Sequence, residues 1–364
     1  MLIGLDETLQ HQASRPFRMV GASDHRFFDR YWFEGIDPSG ELALIAGLGF
    51  YKNMGTCDGF VAMQHDRRQH NLRLARPLAD DPDHTCLGPL EVTVVEPFRH
   101  LRVRLDANDH DMAFDLDWRS PFPPYVEAHH LDVHADRVTQ DSTRYDQVGR
   151  WTGWLELGGQ RWEANDWWGL RDHSWGVRPG VGGFEPRLGA TDSSMFWIWC
   201  CLSTEEWVCQ FQVREDGDGN RNYFDGQLDH RVDDGRPPVR AVDVTHDVSF
   251  IPDTRTYEYV RCTLTLEDGR VLEIEAEPLV RAWAYRGTGY GAGYDDGRGL
   301  GAWRGSVVEH DVYDLAHPEQ VIVDGSSVAP GHREQPVRVW VDGVPAVGHM
   351  PVMTRGPIRR YGLP

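Results

Sequence analysis

Short runs of apolar residues, some alternating with polar ones and some continuous, recur along the whole chain, each closed by Gly, Asp, Asn or Pro. Helical periodicity is scarce, so these runs are expected to be β-strands. LALIAGLGFY (42–51), LEVTVVEPF (90–98), LRVRLDA (101–107) and MAFDLDW (112–118) come first. WTGWLELGG (151–159), MFWIWCCL (195–202), WVCQFQV (207–213), YVRCTLTLEDGRVLEIEAEP (259–278), SVVEHDVYDL (306–315) and VRVWVDG (337–343) follow. Inside CTLTLEDGRVLEIEA an Asp-Gly pair separates two alternating runs, the mark of a tight antiparallel hairpin. A single short helix is expected, near residues 24 to 30.

The two halves of the chain share an order of elements. RYWFEG-IDPSGE-LALIAGLGFYKN runs aromatic strand, polar turn, second strand, and MFWIWCCL-STEE-WVCQFQVREDGDGN does the same. Each is followed by roughly 150 residues of strand-like sequence, enough for one closed antiparallel barrel. The expected organisation is therefore all-β: an N-terminal β domain over 1–165, a connecting segment over 166–190 and a C-terminal β domain over 191–364.

Composition supports strands joined by turns: 14 Trp, 38 Gly and 22 Pro occur in 364 residues. The formal charge of −20 argues against nucleic-acid or anionic-lipid partners, because neither counterion release nor lipid attraction can act on such a surface. None of the six cysteines forms a C-x-x-C pair, and the adjacent Cys200 and Cys201 read as small buried hydrophobes. The N-terminus lacks the features of a signal peptide and no apolar run reaches the ~20 residues of a membrane span. A cytoplasmic location is the expectation; a homodimer is left open.

The densest chemistry lies mid-chain, where WEANDWW (162–168) leads into GLRDHSWGVR (169–178). In an extended strand Arg171, His173 and Trp175 point to one side, and Asp172 and Ser174 to the other. Asp172 and His173 share a cavity only if the strand bulges, and Gly169 and Gly176 would favour such a bulge. A carboxyl group in an apolar, tryptophan-lined site can stay protonated near neutral pH and act as an acid. The plainer alternative is an Arg-Asp ion pair pinning two domains together while Trp175 fills a core.

DHSWG, with RYDQVGRWTGWLELGG upstream and an aromatic strand pair some twenty residues downstream, resembles the lipocalin-like superfamily of the carotenoid hydratases (hydroxyneurosporene synthase) and the AttH-like proteins. RYWFEG near residue 30 is similar to that family's first aromatic strand. The resemblance implies two lipocalin-like antiparallel β-barrel domains packed together. It also implies cofactor-independent lyase, isomerase or cyclase chemistry. Asp172 and His173 match the family's Asp-His pair, and Tyr145, Gln147 and Arg150 its upstream element. Glu309 resembles a glutamate on a late strand, and reads equally well as a solvated strand charge.

Other constellations carry less. His130, Asp132 and His134 in EAHHLDVHADR alternate on one face, but would spread over ~13 Å of strand, too far to meet one metal ion without a bend. The glycine-rich stretch 286–305 lacks the Lys-Ser/Thr ending of a phosphate loop and is expected to be a long, mobile loop at a barrel mouth. In it, Tyr285, Tyr290, Tyr294 and Trp303 could form a lid. No G-x-S-x-G elbow occurs. Of the many tryptophans, most belong to cores.

The sequence thus points to a hydratase, dehydratase or isomerase using acid catalysis on a hydrophobic small molecule, terpenoid, steroid-like or aromatic, with neither cofactor nor metal. Asp172 or His173 supplies the proton, with Arg171, Tyr145, Gln147 and Glu309 as further catalytic candidates. Trp168, Trp175, Trp197, Trp199 and Tyr285 are the candidate ligand wall. The rival reading is a non-catalytic carrier of an apolar ligand.

Overall fold

A computed structural model describes every residue except 1, 3, 82, 183–193, 291–292, 295, 318–319, 324–325 and 329–333. Among the described residues there is no α-helix, only short 3-10 turns between strands. Where a helix was expected near residue 24, the Asp24 carboxylate instead takes the Arg26 backbone N–H and guanidinium. The chain is thereby turned directly into the first strand.

That strand is β1 (Phe27–Ile36), followed by β2 (Leu42–Tyr51), β3 (Thr56–His65), β4 (Arg68–Pro77), β5 (Cys86–Leu87), β6 (Leu90–Glu96), β7 (His100–Leu105) and β8 (Met112–Arg119). Then come β9 (Tyr125–Val126), β10 (His130–His134) and two long strands, β11 (Arg137–Leu157) and β12 (Gln160–Val177). The order β4-β3-β2-β1-β12-β11-β8-β7-β6-β5 makes one antiparallel sheet, with β9 and β10 also on β11. It curls until β5 touches β3 and β4. Residues 166–177 of the expected connecting segment belong to β12 of this sheet, and residues 183–190 lie outside the described residues.

The second unit comprises β13 (Met195–Ser203), β14 (Trp207–Glu215), β15 (Arg221–His230), β16 (Val239–Phe250), β17 (Tyr257–Leu266) and β18 (Val271–Pro278). Next, β19 (Val307–Asp314), β20 (Val321–Val323) and β21 (Ser326–Val328) cross back to extend the first sheet beyond β4. The chain then returns as β22 (Pro336–Val341), β23 (Val344–His349) and β24 (Val352–Arg355). Because β13 pairs with both β14 and β23, eight antiparallel strands close into a barrel. The hairpin expected at Asp268-Gly269 joins β17 to β18. The fold is all-β, two antiparallel units packed together.

Alternation explains why some of these strands look continuously apolar. On β13, Phe196, Ile198, Cys200 and Leu202 point into the barrel core, while Trp199 and Cys201 join a second apolar layer between the two units. On β1, Phe33 belongs to the core of the first sheet and Trp32 and Ile36 to the layer between the units. Strands buried on both faces carry no polar residues to alternate with. By contrast β16, VRAVDVTHDVSF, has one wet face and alternates. Cys200 and Cys201 are both buried and free.

The layer between the units also holds charge. Glu34 of β1, fully buried, accepts hydrogen bonds from Trp283 Nε1 (2.9 Å) and from His349 Nδ1 of the barrel (2.8 Å). The other nitrogen of His349 lies 3.0 Å from the buried Glu334 carboxylate. Burial works against a charged imidazole there, but the two carboxylates outweigh it and carry His349 up to about 9. Trp32 and Trp199 pack edge-on to the ring, with centroids at 5.7 and 4.7 Å. The described residues of the glycine-rich stretch are likewise part of the packing. Tyr285 and Tyr294 are buried, the Gly301 N–H donates to Asp58 Oδ2 at 2.6 Å, and a Cβ on Gly287 would lie 2.1 Å from Asn71 Oδ1. Trp303 alone of the proposed lid aromatics is strongly exposed. Among the described residues no helix is long and apolar enough to cross a membrane.

Because the pKa of His349 rises on folding from 6.5 to about 9, its contribution to stability is complete below pH 6.5 and lost as pH passes about 9. The amount is on the order of 3 kcal/mol. His349→Leu should lower the melting temperature at pH 7, since two buried carboxylates lose their cation. It should also flatten the decline in melting temperature between pH 7 and pH 10. A wild-type protein equally stable at both pH values would contradict the assignment.

Candidate active site between the two units

The stretch GLRDHSWG forms the end of β12, clasped between β1 and β11. Its register is unbroken, with Phe33, Arg171 and Gln147 side by side, then Trp32, Asp172 and Asp146, then Tyr31, His173 and Tyr145. The expected bulge at the flanking glycines is absent. Gly169 is there because Trp151 Nε1 would lie 2.5 Å from a Cβ, and Gly176, with φ +125°, because the Asp141 carbonyl would lie at 2.3 Å. The β11–β12 ribbon bulges instead at Asp166, the residue skipped between the pairs Trp151–Trp167 and Thr152–Asn165. Strict alternation therefore sends Asp172 and His173 to opposite faces of the sheet.

On the face that lines the interior of the first sheet, His173 Nε2 is 2.8 Å from Asp29 Oδ1 and its Nδ1 3.2 Å from the Tyr145 hydroxyl. Arg171 is buried, donates to Gln147 Oε1 at 3.1 and 2.7 Å, and lies over the rings of Trp118, Tyr145 and Phe98. Desolvation pulls its guanidinium pKa down, and burial pushes the Tyr145 hydroxyl up. Trp175 stands at the rim, 37% exposed. Arg171 does not pair with Asp172.

On the opposite face the same strands meet the barrel, and a cavity of about 280 Å³ opens beside Asp172. Phe28, Trp197, Met195 and Met353 give it apolar wall; Ser142, Ser174, Gln140, His130, Arg144, Arg178 and Arg214 give it polar wall. Asp172 stands one residue behind that wall, accepting a hydrogen bond from Ser174 Oγ at 3.2 Å. Arg144 Nη1 lies 3.8 Å from its carboxylate. Burial pushes the Asp172 carboxyl up, opposed by Arg144, reinforced by the Glu127 charge and opposed again by Arg178 and Ser174; the net shift is upward.

Behind Arg144 the charges are closely matched. Its guanidinium lies over the Trp199 ring, 4.9 Å from the centroid, and its Nη2 is 2.7 Å from Glu127 Oε2. Glu127 also takes His130 Nε2 at 2.6 Å and the Gln212 amide. Burial opposes the Glu127 charge, yet Arg144 and these donors hold its pKa well down, while burial and the neighbouring Glu127 charge drive Asp146 well up. Of the two, Asp146 is the one driven toward its neutral form. His130 in turn meets Arg214 Nη2 at 3.2 Å through Nδ1, so the ring has a polar partner at both nitrogens.

The expected residues thus divide. Trp197 lines the cavity; Trp199 lies beneath Arg144; Trp168 is buried farther along the seam, donating to Ser203 Oγ at 3.2 Å. Tyr285 packs on Tyr290 in the layer between the units. Glu309 lies on β19, five strands from β12, ion-paired to Arg73 at 3.2 Å. Arg150 lines a separate surface groove with Asp166 and Glu205. His130 turns to Glu127 while Asp132 is exposed, and no group of three or more His, Cys, Asp or Glu able to hold a metal occurs among the described residues. Sequence reading passed over Glu127, Arg144, Asp146, Arg178 and Arg214. The alternation of RYDQ, applied as it was to RDHSW, puts Arg144 and Asp146 on the face of Asp172; nothing local marks Arg214.

A model of a family of unknown function, DUF8625, matches residues 2–362. No curated protein matches the sequence. Among solved structures, an AttH-type protein from Nitrosomonas europaea is 14% identical, with a TM-score of 0.51 over 90% of this chain and 92% of that one. This likeness shows a shared fold and agrees with the lipocalin-like, AttH-like resemblance. CghA in complex with Sch210972 is 11% identical, TM-score 0.47, over 89% of this chain and 87% of its own. Kievitone hydratase from Nectria haematococca is 9% identical, TM-score 0.43, over 92% of both chains.

The opposed shifts have a stability signature. Asp146→Asn should cost under about 1 kcal/mol, because burial already drives the group it replaces toward neutrality, whereas Glu127→Ala should cost about 3–5 kcal/mol by stranding Arg144. Urea unfolding at pH 7 measures both; equal losses would mean that Asp146 is not driven toward neutrality.

Proposed function

We propose that this chain, which belongs to the DUF8625 family of unknown function, is a hydratase, dehydratase or isomerase working by acid catalysis in the cavity between its two β units. The observation that carries the reading is Asp172: a mostly buried carboxyl with raised pKa, one hydroxyl away from a partly apolar hollow. At about 280 Å³ the cavity is near the lower end of ligand pockets, which run roughly 300–1,000 Å³. That favours a small terpenoid or aromatic body over a steroid.

The mechanism is a relay. Protonated Asp172 donates to Ser174 Oγ as Ser174 passes its own hydrogen to the substrate. In hydration, water adds to the activated carbon, and the proton it sheds returns through Ser174 to the Asp172 carboxylate, regenerating the acid. Dehydration runs the same steps in reverse, and isomerisation replaces water addition by loss of a neighbouring C–H proton. Every step moves protons, so no cofactor is called for. Arg144 keeps Asp172 poised between its two forms. His173, Tyr145, Arg171 and Gln147, on the other face of the ribbon, brace it and do not touch the cavity, and Glu309 has no part in the chemistry. Holding the acid and excluding water are what such a site contributes, and general acid catalysis supplies roughly 10²–10⁴-fold.

Incubating the protein in deuterium oxide with a panel of small unsaturated and hydroxylated terpenoid and aryl compounds tests this by mass spectrometry. Wild type should place deuterium on carbon in at least one compound, with a rate that falls as rising pH ionises Asp172. Asp172→Asn and Ser174→Ala should each slow the exchange by at least about 10²-fold with little change in melting temperature. Ligand binding without any exchange would favour the carrier reading; full activity in Asp172→Asn would overturn the acid assignment.

A further inference from the structure

The guanidiniums around the cavity are not equally paired. Arg144 is matched by Glu127, but Arg178 and Arg214 meet no carboxylate within ion-pair distance among the described residues. Arg178 lies over the rings of Phe28 and Tyr290, 5.5 and 5.6 Å from their centroids. Arg214 lies over Tyr223 at 4.7 Å and Trp197 at 5.5 Å, and its one polar bond among the described residues is to His130 Nδ1, which leaves its Nε without a partner. Desolvation already pulls the Arg214 guanidinium pKa down. Asp172 sits behind Ser174, outside the lining, and burial pushes its carboxyl pKa up.

A partly buried guanidinium gains from an anionic partner, and its planar fork matches a carboxylate. Aromatic faces stabilise such a cation only in part. Two such groups facing one hollow, in a protein whose formal charge is −20, mark a place where the molecule concentrates positive potential against its own average. The same potential disfavours a substrate that must become a carbocation beside it.

We infer that the cavity takes a small molecule with an apolar body and a carboxylate, the carboxylate held by Arg178 and Arg214 and the body lying against Phe28, Trp197, Met195 and Met353. This rests on the proposed acid site and names its substrate class. The reacting carbon then lies toward Ser174, with the anion drawn to the guanidiniums, and acid chemistry that builds negative charge on oxygen, as in a conjugated enoic acid, is preferred to protonation of an isolated alkene.

The test is calorimetric titration of the intact chain with decanoate, decan-1-ol and decylamine, which share a chain and differ in head-group charge. Decanoate should bind at least tenfold more tightly than the alcohol, and the amine most weakly. Arg178→Gln and Arg214→Gln should each weaken decanoate about tenfold while leaving the alcohol unchanged. The half-exposed Arg178 makes no hydrogen bond among the described residues, so its variant should fold even if that of Arg214 does not. Equal affinity for alcohol and carboxylate, or decanoate binding indifferent to both variants, would overturn the inference while leaving the acid site standing. Failure of all three probes to bind would overturn both.

Discussion

A charge buried between two sheets must find its opposite across the gap, and this requirement fixes how the two halves of the molecule sit together. Glu34 belongs to the first sheet and His349 to the barrel, and neither has water to fall back on. Glu34, His349 and Glu334 lie among Trp32, Trp199 and Trp283, so a small shift of one unit against the other would strand an ion in an aromatic layer. Apolar contact alone would hold the units together without choosing a register. The ion triad chooses it.

The second polar group in the seam, Glu127 with Arg144, Asp146, Asp172 and His130, follows the same rule with one difference: it borders a void. Matched charges sit deep, where Arg144 meets Glu127, and the carboxyl groups with raised pKa flank them. Toward the cavity the balance tips to guanidinium. Around that pair stand Asp172, whose carboxyl pKa is pushed up, and a cavity wall that carries Arg178 and Arg214. The closed barrel supplies stiffness beneath this arrangement, since β13 carries Trp197 and Trp199 toward the seam while its alternate residues are locked in the barrel core.

Crossing of the chain adds to the rigidity. Strands β19 to β21 leave the second half to complete the edge of the first sheet before β22 returns to the barrel. The glycine-rich stretch that precedes β19 is pinned on β3 and β4 by Asp58, Asn71 and Arg73, so a stretch whose composition suggested mobility serves as packing. At Gly287, Gly289 and Gly301 the backbone approaches the side chains of Asn71, Tyr294 and Tyr51 too closely for a Cβ. Buried Arg30, bonded to Tyr51 and Asp58, and buried Arg73, bonded to Glu309 and Asp311, hold that surface down.

Local sequence determined a good deal here. The strands at 42–51, 195–202 and 259–278, the hairpin at Asp268-Gly269 and the all-β class follow from apolar period and turn residues. So does the division of Arg171, His173 and Trp175 from Asp172 and Ser174, because side chains on an extended chain alternate whatever surrounds them. What covers each face is another matter. That Asp172 looks toward a cavity walled by the barrel, that His173 meets Asp29 from a strand 144 positions earlier, and that Glu309 pairs with Arg73 were decided only when distant strands came together. Period two tells which residues share a side; it carries no information about what the other sheet brings to meet them.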